Sequence, residues 1–92
     1  MAGVIREIQM GNFAITLKEL DGGHLQAKLT SMTNGNLLEI EKGEGDRIRV
    51  KELDFGSAEI ALEHLAIMLH LIGADRDMLN ELEKIKRMKH ND

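Results

Sequence analysis

The chain contains no cysteine, no tryptophan and no tyrosine, and only two phenylalanines, Phe13 and Phe55. Without cysteine there is no disulfide framework, no thiolate metal site and no thiol nucleophile. Without Trp or Tyr, stacking of single-stranded bases has no platform beyond the two phenylalanines. The Tyr and Trp anchors on which a standard protein interface centres are missing as well. Long apolar runs are also lacking. The longest, Leu65 to Leu69, falls far short of the roughly 20 residues of a membrane-spanning helix. The opening Met1 to Arg6 lacks the apolar region of a signal peptide, so the cytoplasm is the expected compartment.

What remains is a chain of 92 residues with 12 basic and 16 acidic side chains, 42% of it hydrophobic. That composition implies one small folded domain rather than a disordered segment. Its core must be built from Leu, Ile, Val and Met. The six methionines make such a core adaptable.

The pattern changes at Phe55-Gly56. Before it, Gly11-Asn12, Asp21-Gly22-Gly23, Asn34-Gly35-Asn36 and Gly43-Glu44-Gly45 punctuate the chain at short, regular intervals. Such pairs supply the positive φ that tight hairpins need. Between them apolar residues alternate with polar ones: Phe13, Ile15 and Leu17; Leu25, Ala27 and Leu29; Leu38 and Ile40; Ile48 and Val50. Period two with turns between the runs predicts a β-meander with one apolar and one wet face. Val4 to Met10 fits a helical turn or a strand, and the Gly-Asn pair after it favours the strand.

After Gly56 the period becomes helical. Ser57 is a good N-cap residue and Gly73 a good C-terminal stop, predicting a helix over 57–72. Glu59, Glu63, Ala66 and His70 form its narrow polar stripe. The rest is apolar except His64, a wider arc than one sheet can cover. A second helix, or a second subunit, must take the remainder. Asp75 caps the next helix, predicted over 75–89, with Met78, Leu79, Leu82, Ile85 and Met88 as its apolar stripe. Residues 90–92 should fray. The predicted fold is therefore α+β: a four- or five-stranded antiparallel meander over 4–54, followed by two C-terminal helices on one face.

Catalytic chemistry has few candidates. Of the two serines, Ser57 reads as a cap, and no base stands near it in a nucleophilic pattern. His64 and His70 are six residues apart and project differently, which gives no metal-ligand spacing, so neither metal nor cofactor is expected. Gly43-Glu44-Gly45 carries acidic neighbours that would repel phosphate, and reads as a hairpin turn. His64, inside the apolar arc, reads as a hydrogen-bonded core or interface histidine. A site near His64 and Glu63 would serve a small-ligand binder or enzyme, which is the least favoured of three readings.

Charge gives the other two readings. Glu39, Glu41, Glu44, Asp46 and Glu52, with Asp54, form an acidic run that could dock on a basic protein surface. Arg47, Arg49 and Lys51, with Lys86, Arg87 and Lys89 at the C-terminus, are the alternative, a nucleic-acid surface. Cross-strand pairing of Glu39 and Glu41 with Arg49 and with Arg47 or Lys51 would instead make the strand charges a ladder that stabilises the sheet. The apolar surplus of the first helix predicts a homodimer through Ile60, His64, Ile67 and Leu71, with Met68 at the border.

The layout from Asn12 to Lys89, short strands with Gly-Asn turns and then two helices in an acidic chain, resembles small phage-encoded inhibitors of bacterial defence, the anti-CRISPR proteins among them. Ile5-Arg6-Glu7-Ile8 followed by Phe13-Ala14-Ile15-Thr16-Leu17 looks like the start of one acidic family of nuclease inhibitors. The resemblance implies an antiparallel sheet packed against two helices, and an acidic surface that occludes a basic DNA-binding cleft. The expected function is thus a small non-enzymatic protein-binding module, and the resemblance implies an inhibitor of this kind acting in a host cytoplasm. A nucleic-acid-associated regulator is the alternative.

Overall fold

The computed structural model describes residues 3–44, 47–52, 60–75 and 77–90. Five strands come first: β1 (Gly3–Met10), β2 (Phe13–Glu19), β3 (Leu25–Ser31), β4 (Gly35–Lys42) and β5 (Ile48–Glu52). Two helices follow, α1 (Leu62–Ile72) and α2 (Met78–His90). The strands form one antiparallel sheet in the order β1-β2-β3-β4-β5, each beside its neighbour in sequence. This is the expected α+β layout with the larger of the two strand counts. Val4 to Met10 is strand.

The turns show why the alternating runs fold back. Met10 pairs with Phe13 across Gly11-Asn12. Gly11 has φ 60°, the sign that primed hairpin turns need at their first central residue. At the β3–β4 turn, the buried Ser31 Oγ accepts hydrogen bonds from the backbone N–H groups of Thr33 and Asn34, at 3.2 and 3.3 Å. A side chain thereby does locally what a backbone carbonyl would otherwise do.

The register slips twice. Val4 faces Lys18 and Arg6 faces Leu17, so Ile5 is an extra residue in β1. Leu29 faces Leu38 and Thr30 faces Asn36, so Leu37 is an extra residue in β4. Both are β-bulges, which insert one residue and bend the strand. The second lets Leu37 and Leu38 both enter the core, fully buried.

α1 lies mainly over β3, with β2 and β4 to either side. His64, Leu65, Met68, Leu69 and Ile72 are its buried residues. The four apolar ones meet Ile15, Leu29, Leu38 and Ile40 of the sheet in one core. α2 packs on α1 and adds the fully buried Leu82, with Met78 and Leu79 partly buried.

Both helices start later than the sequence predicts. α1 begins at Leu62 rather than at 57, with Ala61 extended at φ −96° and ψ 159°. Ser57, the expected cap, lies outside the described residues. Asp75 Oδ1 does accept from the Asp77 N–H at 3.1 Å, but α2 begins at Met78 and not at 76. At the other end of α1, Gly73 adopts the left-handed conformation, φ 73°. Its N–H bonds back to His70 O at 3.1 Å and the Ala74 N–H to Leu69 O at 3.0 Å, closing the helix as anticipated. Lys42 Nζ, reaching up from β4, donates to the Gly73 carbonyl at 3.1 Å.

Candidate protein-binding edge

The consecutive strand order leaves β1 and β5 at the ends of the sheet. Such an edge presents unpaired N–H and C=O groups to any chain able to lie beside it. The two edges differ. β5 has five residues and carries the exposed cations Arg49 and Lys51, charge of the kind that blunts an edge. β1 has eight residues, and Gly3 to Glu7 are all exposed. Val4 and Ile5 are 59% and 56% exposed, among the few large apolar side chains of the described residues left in the open.

Which peptide groups of β1 are free follows from its hairpin. The two-residue turn makes Met10–Phe13 a hydrogen-bonded pair, and an antiparallel ladder alternates from there. Ile8–Ile15 is the next such pair. The N–H and C=O groups of Glu7 and Gln9 therefore turn away from β2. Their side chains lie opposite Thr16 and Ala14, on the face away from the helices, whereas Ile8, opposite the buried Ile15, is on the helix side.

The face turned away from the helices carries the predicted charge ladder. Glu39 lies opposite Lys51 and Lys28, and Glu41 opposite Arg49 and Gln26. The Glu39 carboxylate is 3.6 Å from Lys28 Nζ and 3.8 Å from Lys51 Nζ. Gln26 Nε2 donates to Glu41 Oε1 at 2.9 Å. The pairing shows where the residues of the expected acidic docking edge sit. Glu39 is buried, sits in the fourth strand and is neutralised by two lysines. Glu41 is half-buried and already accepts a bond. Glu44 is exposed beyond β4, beside His24 and Arg47 around an open hollow. Asp46 and the side chain of Glu52 lie outside the described residues.

The basic residues are likewise engaged. Arg49 faces Glu41 and Lys51 faces Glu39. Arg87 Nη2 meets Glu83 Oε1 at 2.6 Å, and Lys84 lies 3.9 Å from Glu81. Arg49 and Lys51 are on the face opposite the helices, while Arg87 is on α2, so the structure does not join the two groups into one surface. Arg47 is exposed. The side chains of Lys86 and Lys89 lie outside the described residues.

His64 has a structural post. The Ala61 N–H donates to its Nδ1 at 3.1 Å, the return half of a capping box, with histidine in the place usually held by Glu or Gln. Its ring packs on Phe13 of β2, centroids 4.6 Å apart and tilted by 44°. Burial lowers its pKa below 6.5, while the charge of Glu63 pulls it upward. An Nδ1 that accepts this bond must be unprotonated, so the geometry and the direction of the shift agree.

The same packing places the residues of the expected dimer face within the single chain. Ile60 is 2% exposed, His64 7% and Met68 0%, all within the core of the single chain. Ile67 and Leu71 pack partly buried against that core. The wide apolar arc of α1 is taken up by the sheet on one side and α2 on the other. Ile67, with Ala66, Leu69, His70, Ala74 and Leu79, lines a shallow groove of about 340 Å³ between the helices.

Sequence reasoning passed over the edge of β1. A signal was present: two adjacent apolar residues, Val4-Ile5, break the alternation where the bulge sits. Among the described residues, no three His, Asp or Glu side chains gather as a metal site. No helix there is long and apolar enough to cross a membrane. Compared with known proteins, the chain matches no family model, no curated protein and no solved structure.

Proposed function

We propose that this protein is a non-enzymatic protein-binding module that takes an extended strand of another polypeptide along the outer edge of β1. One observation carries the reading. β1 is an eight-residue edge strand with exposed Val4 and Ile5 and free peptide groups at Glu7 and Gln9. Strand addition to such an edge draws affinity from main-chain hydrogen bonds and selectivity from alternate side chains. The charged side chains of the face away from the helices support the reading by default, because Glu39 is held by Lys28 and Lys51, and Glu41 by Gln26. His64, the buried histidine, is committed to capping a helix.

The test is capture, with three tagged versions of the chain, from a bacterial lysate that also holds an untagged copy of it. Glu7→Pro removes one outward N–H without touching the β1–β2 ladder, and proline is tolerated on an edge strand. Wild type and Arg49→Glu should retain the same protein partner, and Glu7→Pro should lose it. A partner kept by Glu7→Pro and lost by Arg49→Glu would move the site to the charged face and defeat the proposal.

A further inference from the structure

From the pattern of β1 we infer that the strand it takes is that of a second copy of this chain, paired antiparallel about a two-fold axis at Ile8. The inference rests on the reading of β1 as a binding edge and names its occupant. A two-fold axis normal to the sheet keeps each side chain on its own face, so only registers that match residues of like orientation are allowed. The peptide groups that must meet are those of Glu7 and Gln9.

Centring the axis on Ile8 sets Glu7 against Gln9 of the second copy, and Gln9 against its Glu7. Both are hydrogen-bonded pairs of the new ladder. On the face away from the helices, each Gln9 amide then faces a Glu7 carboxylate. Gln9 is placed to do so, since its side chain is exposed and its one bond among the described residues is a long one of 3.4 Å to the Gly11 carbonyl. On the helix side, Ile8 meets its own copy as a non-hydrogen-bonded pair, the closer of the two spacings. Arg6 lies against Met10 of the second copy. Ile5, now exposed, is carried to the Gly11-Asn12 turn of the second copy.

Neighbouring registers are worse. Moving the axis to Glu7 opposes the two Glu7 carboxylates, and like charges directly opposite are destabilising. Moving it to Arg6 opposes two arginines and runs the ladder into the bulge at Ile5. Moving it to Gln9 leaves only the last residues of each strand paired. The product of the Ile8 register is one ten-stranded sheet with all four helices on a single face, an isologous dimer.

Sedimentation equilibrium on the pure chain and two variants tests this. The wild type should be a dimer. Gln9→Glu places carboxylates opposite Glu7 at two symmetric positions, and should weaken the dimer about thirtyfold, taking both cross-strand pairs at the upper end of their range. Gln9→Lys makes two ion pairs there and should tighten it by a similar factor, with added salt shrinking both effects. Position 9 is exposed, so both variants should fold, as circular dichroism would verify. A wild-type monomer at about 100 μM, already a weak association on the affinity scale, overturns the inference. So does a dimer indifferent to both charges, which would place the interface elsewhere. A monomer whose Glu7→Pro variant still loses a captured partner would overturn the second copy as occupant and leave the binding edge standing.

Discussion

Two apolar doublets interrupt the alternation of the sheet, Val4-Ile5 in β1 and Leu37-Leu38 in β4, and they meet opposite fates. Each marks a one-residue slip of register. In β4 the slip lies among central strands, in the sheet that α1 covers, and both leucines are fully buried. In β1 the slip lies at an edge, two strands from the centre of α1, and both side chains are more than half exposed. The sequence signal and the backbone device are the same. Position in the strand order decides whether a doublet becomes core or surface. A bulge at an edge also bends the strand away from uncontrolled pairing, which leaves the regular stretch Arg6 to Met10 as the usable part of β1.

The sharpest way to break this contrast is to shorten the buried doublet. Leu37→Ala should cost about 3 kcal/mol, in the range for buried leucines that leave a cavity, read as a lower urea midpoint at unchanged slope. A loss under about 1 kcal/mol would show that the bulge collapses to fill the space, and that Leu37 is not the core residue its burial implies.

His64 adds a pH dependence to the covered side. His64→Ala should cost about 1.5 kcal/mol, from a lost cap and a lost contact with Phe13. His64→Gln should recover most of it, since glutamine serves the same return bond. The sign of the titration follows from the lowered pKa. The unfolded chain takes up a proton at this histidine near its ordinary value of 6.5, while the folded chain resists. The stability that the neutral ring contributes is therefore whole above that pH, and falls as the pH drops below it. Urea midpoints between pH 7.5 and 5 (roughly the window of an ordinary histidine) should decline in the wild type and decline less in His64→Gln. Equal declines would assign the acid sensitivity to other groups.

The smallest effect belongs to the exposed doublet. Ile5→Ser should change stability by no more than about 0.5 kcal/mol while weakening self-association in the same sedimentation experiment. A loss comparable with that of Leu37→Ala would erase the distinction between the two bulges.

Much of this was legible in the residues. Gly11-Asn12 and Asn34-Gly35 mark real reversals, and Gly73 ends α1. Glu39–Lys51 and Glu41–Arg49 pair as a meander of adjacent strands requires. Three things were not legible. The start of α1 was misplaced because serine is a common cap, whereas the acceptor at Ala61 comes from a histidine three residues into the chain ahead. The acidic run looked like one surface because sequence shows density of charge but not its partners: Lys28, which meets Glu39, is eleven residues away in the chain and directly opposite in the sheet. The apolar arc of α1 looked like a subunit interface because the depth of the α2 contact, with Leu82 fully buried, depends on how the two helices turn toward each other.

The consecutive strand order has a consequence for how the chain reaches this structure. Every strand finds its mate across a short turn, so no sheet contact waits for a distant segment to arrive. Short loops close at little entropic cost, and a topology dominated by local pairing folds quickly for its strand content. The sheet can grow hairpin by hairpin as the chain leaves the ribosome, because each strand emerges directly after the one it pairs with, and all five emerge before α1. The helices then arrive as a lid on a finished floor, with β1 at its outer edge.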